Sequence, residues 1–285
     1  MVYTSYSDLA NCIRRNVWKV PSDVDLIVGI PRSGMIPTLM IAELLHKPCA
    51  DLDSFIDDRV MPCGRRERIM RKGDVKKVLV LDDTVWVGNA MRRAKACIER
   101  IAADYDIIYG CIYAEGKDAK SMVDIYFEDI YREGEHTWLY EWNILHHYEH
   151  NTKKMMFDID GVLCKEPPDE RDRDEYETYL PNAIPMVIPT TLVGALVTYR
   201  LEKYRTATEA WMSRHGVRYG KLIMHNAPDY DTRRASESPA QYKARIYSNE
   251  TWAVLFVESS ARQSEQIFKL TGKPVFCYEN GKMYK

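Results

Sequence analysis

No Cys-x-x-Cys pair occurs in this chain of 285 residues, and its seven cysteines (Cys12, Cys49, Cys63, Cys97, Cys111, Cys164 and Cys277) are scattered and odd in number. That pattern speaks against a zinc ribbon or a disulfide framework and fits reduced thiols in the cytoplasm. An excess of one charge is lacking too: 40 Lys and Arg against 42 Asp and Glu leave a formal net charge of −2. This gives no electrostatic reason to expect nucleic acid or an anionic membrane as a partner. The longest apolar stretch, residues 183–197, is broken by Pro185, Pro189, Thr190 and Thr191, so an integral membrane segment is not expected. The opening residues Met1-Val2-Tyr3-Thr4-Ser5-Tyr6 hold no apolar leader, and repeats and low-complexity tracts are absent. A cytoplasmic protein is the expectation.

Hydrophobic residues make up 46% and charged residues 29%, enough apolar material for two buried cores. The length favours two domains of ordinary size. Short β-branched runs alternate with amphipathic stretches, which predicts α/β units around mostly parallel sheets. In the first half strands are expected at residues 25–30, 78–81 and 107–114, with helices at 36–46 and 89–103. Short aromatic-rich strands follow at 123–127 and 137–142. The polar segment His146-His147-Tyr148-Glu149-His150 then sets a boundary, giving domains 1–150 and 151–285. In the second half strands are expected at 155–159, 192–197, 222–224, 254–257 and 274–277, and helices at 202–215, 239–247 and 261–271.

The run Val78-Leu79-Val80-Leu81-Asp82-Asp83 ends a hydrophobic strand in two carboxylates, where an α/β sheet opens its ligand crevice. Thr84, Val85, Trp86, Val87, Gly88 and Asn89 then form a loop ahead of a helix. Its backbone N–H groups and the helix N-terminus suit a phosphate, while the carboxylates suit vicinal ribose hydroxyls. This segment resembles the phosphoribosyl pyrophosphate (PRPP) motif of type I phosphoribosyltransferases. Gly29 with Ile30, Pro31, Arg32, Ser33 and Gly34, also between a strand and a helix, resembles that family's pyrophosphate loop. Val87 and Ala90 stand where the family usually has a hydroxyl and a second small residue, so the backbone cradle and Thr84 are what remain of the pattern. The resemblance implies a mobile loop over residues 59–77, containing Arg65-Arg66-Glu67-Arg68 and Arg71-Lys72; a solvated charged loop is the alternative. It also implies a hood over the acceptor, for which residues 126–131 and Trp138-Leu139-Tyr140-Glu141-Trp142-Asn143 are candidates. Such rings stack on sugars or bases, and core packing would use them equally.

Phe157-Asp158-Ile159-Asp160-Gly161-Val162 is a second strand ending in acids, and D-x-D spacing points both carboxylates the same way. It resembles motif I of the haloacid dehalogenase superfamily. That resemblance implies Asp158 as nucleophile, Asp160 as the acid that protonates the leaving oxygen, and a magnesium ion between them. It further implies Thr198 as the motif II hydroxyl, Lys243 as the motif III lysine and Glu258 as the motif IV acid. The metal set is therefore Asp158, Asp160 and Glu258, although the family more often has an Asp pair at motif IV. The insertion at residues 165–181, with its charged run Asp169-Glu170-Arg171-Asp172-Arg173-Asp174-Glu175, is too short for a folded cap.

Together the resemblances imply a type I phosphoribosyltransferase fold followed by a haloacid dehalogenase-like Rossmannoid fold with a minimal cap. The pairing is similar to bifunctional enzymes that add ribofuranose to bacterial polysaccharides. It implies transfer of 5-phosphoribose from PRPP to a glycan or lipid-linked glycan hydroxyl, forming a β-linkage, followed by removal of the 5-phosphate. Asp82 and Asp83 would orient the ribose, and magnesium would serve both steps. Two alternatives stay open: a nucleobase phosphoribosyltransferase fused to a nucleotidase, and a regulator that only senses PRPP. A homo-oligomer is allowed, and the acceptor's general base is not legible.

Overall fold

A computed structural model describes residues 1–61, 75–134, 137–146 and 149–285, and the chain divides into two units, Met1–Trp142 and Asn143–Lys285. The sequence reading sets the boundary at residue 150. The charged stretch Arg65–Arg68 and Arg71-Lys72 lies outside the described residues.

In the first unit strands β1 (Val2–Thr4), β2 (Leu26–Gly29), β3 (Cys49–Asp51), β4 (Lys77–Val85), β5 (Asp106–Ala114), β6 (Ile125–Asp129) and β7 (Trp138–Tyr140) alternate with helices α1 (Tyr6–Asn16), α2 (Met35–Leu45), α3 (Leu52–Ile56), α4 (Asn89–Ile98) and α5 (Lys117–Ser121). Five strands form an all-parallel sheet in the order β3-β2-β4-β5-β6. The central runs Leu26-Ile27-Val28 and Val78-Leu79-Val80-Leu81 are apolar at every position because both faces are covered. One face packs Leu79, Leu81 and Ile112 against Leu9 and Ile13 of α1 and Ile41 of α2. The other packs Val78, Val80 and Cys111 against Met91, Ala94 and Ile98 of α4. Helix α1 starts on a capping box, Ser5 and Asp8 each satisfying the other's backbone N–H.

Strand β4 runs four residues beyond the expected end at Leu81, because Thr84 and Val85 pair with Tyr113 and Ala114 of the long neighbour β5. The loop before α4 is correspondingly short. Strand β1, not foreseen, pairs in parallel with β7 as a separate two-stranded sheet. Tyr126, a hood candidate, instead belongs to β6 and pairs with Cys111 in the main sheet.

The second unit repeats the architecture. Its strands are β8 (Met155–Phe157), β9 (Val193–Leu201), β10 (Tyr219–His225), β11 (Leu255–Glu258), β12 (Val275–Cys277) and β13 (Met283–Tyr284). Its helices are α6 (Glu149–Thr152), α7 (Arg173–Asn182), α8 (Arg205–Arg214), α9 (Tyr230–Ser236), α10 (Pro239–Asn249) and α11 (Ala261–Thr271). The sheet order is β10-β9-β8-β11-β12-β13, parallel except for β13. Helices α10 and α11 cover one face through Ala240, Tyr247 and Ile267, packed on Met156, Val197 and Phe256. Burial of Met156, Val197, Phe256 and Ile267 stabilises the fold by roughly 1.5–3 kcal/mol each. The short insertion after Asp160 forms α7, whose Tyr176 and Leu180 join Leu201, Tyr204 and Met224 in a second cluster.

Candidate functional sites

Both sheets have a point at which successive connections leave in opposite directions. In the first, the chain goes from β2 to β3 on one side and then crosses to β4 on the other. In the second, β9 and β10 extend one side of β8 before β11 is laid on the other. Ligand crevices of open α/β sheets form past the carboxyl ends of the strands at such points. Ile30, Pro31, Arg32, Ser33 and Gly34 follow β2, and Asp82-Asp83 lie near the end of β4, ahead of Thr84 and Val85; Asp158 follows β8, and Glu258 ends β11.

In the first unit the Ser33 hydroxyl donates to Asp83 Oδ1 (2.9 Å), tying the β2 loop to the end of β4. Ile30 N–H also donates to Leu81 O (2.9 Å). The Pro31–Arg32 peptide is cis, and Arg32 is exposed. Gly34 is required by contact rather than by φ: a Cβ there would lie 2.5 Å from Ile30 O and 2.9 Å from Leu81 O. Asp83 also accepts from Thr84 N–H (2.9 Å) and from Trp142 Nε1–H (2.7 Å). Three of its roughly four acceptor sites are thus filled. Asp82 accepts from Asp83 N–H (2.9 Å). Burial, and then the neighbouring Asp83, push the Asp82 carboxyl well above the usual carboxylate range.

Thr84 and Val85 lie in β4, so the candidate phosphate loop narrows to Trp86, Val87 and Gly88, with Asn89 opening α4. Trp86 and Val87 are exposed, and Gly88 has φ 71°, a left-handed conformation glycine adopts without strain. Beside this end stands a group that sequence reasoning missed. Glu115, one residue past β5, accepts a hydrogen bond from the Tyr140 phenol (3.0 Å). The buried Thr84 hydroxyl lies beside the same phenol without a well-formed hydrogen bond.

In the second unit Asp158, Thr198 and Glu258 come from three adjacent strands, and Lys243 enters from α10. Asp158 N–H donates to Val257 O (2.9 Å), fixing the residue at the sheet's end. Lys243 Nζ bridges Asp158 Oδ2 (2.6 Å) and Glu258 Oε2 (2.7 Å), and all three side chains are buried. Burial opposes the Lys243 charge, but Asp158 and then Glu258 outweigh it, so the ammonium is held above its ordinary pKa. Asp158 is also raised, chiefly by burial; Lys243 opposes this, and Glu258 and Asp160 add to it. The two carboxylates account for the Lys243 direction, and burial for that of Asp158.

Thr198 sits inside β9 rather than at its end, because the strand continues to Leu201, and it is fully buried. Its Oγ1 accepts from Arg200 N–H at 3.3 Å. Asp160 does not join the Lys243 cluster. Arg200, 2% exposed, holds it by Nε to Oδ2 (3.0 Å) and by Nη2 to Oδ1 (2.5 Å). The sequence reading missed Arg200, although a place two residues from Thr198 on one strand puts it on that residue's face. It missed Glu166 too, which reaches the site from the insertion, where Ser259 Oγ donates to it (3.0 Å). Burial, then Asp160, raise the Glu166 carboxyl.

Among the described residues no three His, Cys, Asp or Glu side chains are placed as a metal-binding group. The donor chemistry nonetheless fits a hard divalent cation. Asp158, Asp160, Glu166 and Glu258 are oxygen donors, and Lys243 and Arg200 pair with three of them.

No protein-family model matches the chain, and no curated protein matches it. Among solved structures it is similar to the xanthine-guanine-hypoxanthine phosphoribosyltransferase of Helicobacter pylori, at 15% identity, covering 50% of this chain and 92% of that one with a TM-score of 0.35. It is similar to the purine phosphoribosyltransferase of Pyrococcus horikoshii Ot3 at 20% identity, again over 50% and 92%, with a TM-score of 0.35. A chain of the Pnkp1/Rnl/Hen1 RNA repair complex matches at 12% identity over 97% and 94%, with a TM-score of 0.35. Likenesses this distant carry no argument about activity. In the described residues no helix is long and apolar enough to cross a membrane.

Proposed function

We propose that the first unit transfers 5-phosphoribose from PRPP to a glycan hydroxyl and that the second removes the 5-phosphate. The observation that supports this reading best is the placement of both acid pairs at topological switch points, each met by a residue from a distant segment: Ser33 on Asp83, and Lys243 on Asp158. In the transfer, Asp82 and Asp83 orient the ribose hydroxyls. The Ile30–Gly34 loop holds the pyrophosphate, and the loop at Trp86–Asn89 takes the 5-phosphate. Bond breaking at ribose C1 sends an electron pair out with pyrophosphate.

In the hydrolysis, an Asp158 carboxylate oxygen attacks phosphorus as the bond to the ribose oxygen breaks, and Asp160 gives that oxygen a proton. Water then cleaves the aspartyl phosphate. Lys243 neutralises Asp158 and Glu258, Arg200 fixes the direction of Asp160, and Thr198 hydrogen-bonds the transferring phosphoryl. Magnesium belongs to the proposal: Asp158, Asp160 and Glu258 would hold it, and it would shield the nucleophile from the substrate's negative charge.

The test is the double variant Asp82→Asn/Asp83→Asn. It is expected to abolish PRPP-dependent pyrophosphate release while leaving hydrolysis of a generic phosphomonoester near wild type. Normal pyrophosphate release by the double variant would contradict the placement of the donor site. A nucleoside as the final product would favour the nucleobase alternative, and PRPP binding without turnover would favour a sensor.

A further inference from the structure

The carboxyl ends of β4, β5 and β6 carry five acids, and four of them are engaged, Glu128 by an ion pair with Arg15. Asp83 accepts from Ser33, Thr84 and Trp142. Asp82 is buried and accepts from the Asp83 N–H. Asp129 pairs with Lys120 and accepts from Tyr131 N–H. Glu115 differs. Its backbone N–H donates to Val85 O (2.9 Å), which holds it level with the residue that follows Asp83 and Thr84. Its Oε1 accepts from Tyr140 (3.0 Å), and among the described residues its Oε2 has no hydrogen-bond partner. The side chain is half-buried.

Tyr140 connects this carboxyl to the donor site. Its ring lies 5.0 Å from that of Trp142, whose Nε1–H donates to Asp83. The group that fixes Glu115 and the group that fixes Asp83 are therefore packed together. A carboxylate with a free oxygen is an acceptor only, so it selects a partner presenting O–H or N–H rather than a carbonyl.

We propose that Glu115 is the general base of the transfer step, taking the proton of the acceptor's hydroxyl; this rests on the reading of the first unit given above. The acceptor O–H bond breaks and its proton goes to Glu115 Oε2. The acceptor oxygen bonds to ribose C1, and the C1–O bond to pyrophosphate breaks with its electron pair leaving on pyrophosphate. Tyr140 acts as a positioning residue through Oε1. Burial, opposed in part by the Tyr140 hydrogen bond, raises the Glu115 carboxyl to about 7, which suits a base working near neutrality. The titratable groups facing this cluster are the Tyr140 phenol and Asp83.

The experiment compares wild type with Glu115→Gln, which keeps an oxygen for Tyr140. PRPP and magnesium are supplied with either ethylene glycol, a hydroxyl acceptor, or sodium azide, a nucleophile with no proton to lose. Pyrophosphate release with ethylene glycol is expected to fall about 10²-fold or more in the variant. With azide the variant is expected to stay within about threefold of wild type, and its PRPP affinity to be unchanged. The wild-type glycol reaction should lose rate as pH falls below about 7, a limb absent from the variant. Full activity of Glu115→Gln with glycol, or equal losses with glycol and azide, would overturn the assignment. A wild-type protein that binds no PRPP, or binds it and releases no pyrophosphate with either nucleophile, would instead overturn the transferase reading.

Discussion

Lys243 is the residue on which the second site's charge balance turns, since it bridges Asp158 and Glu258 in a buried cluster. Removing one partner of a buried ion pair leaves uncompensated charge and costs about 3–5 kcal/mol. Lys243→Met is therefore expected to lower the urea stability of the second unit by about that amount, and Asp158→Asn by much less, because an amide still accepts from the lysine. Equal destabilisation by the two substitutions would show that the bridge is not what holds the cluster. From sequence Lys243 was one lysine among many, identified only by its order in the chain and its place on the expected helix 239–247 within a resembling pattern. Arg200 and Glu166 escaped notice for different reasons: one stands on the strand of a residue already chosen, the other on an insertion expected to hold only charge.

At the scale of elements, the ends of strands decide which groups form a site. β4 outlasts its apolar run because β5 offers partners as far as Ala114, and this draws Thr84 and Val85 out of the expected loop. β9 outlasts its own in the same way and carries Thr198 and Arg200 inside it. Periodicity located both strands, but it does not see how long a neighbour is. The capped helices were easier to read: α11 was expected at residues 261–271 and spans Ala261–Thr271, starting on Ser260 and ending at Gly272. β1 was missed because three residues carry no period. The β2 loop offers a direct test. Gly34→Ala places a methyl against the backbone oxygens of Ile30 and Leu81, neither of which can swing aside. PRPP affinity is expected to fall by at least ~10-fold, with a stability loss of about 1–3 kcal/mol. Unchanged titration calorimetry would mean that the loop does not hold the donor.

At the scale of the whole molecule, two mostly parallel sheets in one chain each open at a switch point lined by acids, and the proposal joins them as consecutive steps on one ribose. The repeated α/β alternation made the architecture legible, since both halves show hydrophobic strands spaced by amphipathic helices. The acceptor's general base was not legible, because the proposed one, Glu115, meets Tyr140 only through the fold. The most direct measurement follows the fate of the 5-phosphate, using PRPP labelled on that group and methyl glycosides as acceptors. Wild type is predicted to release pyrophosphate and then labelled inorganic phosphate. Asp158→Asn is predicted to release pyrophosphate at the wild-type rate but to retain the label on a phosphoribosyl glycoside. Labelled inorganic phosphate from Asp158→Asn, or a wild-type product that keeps its label, would contradict the two-step account.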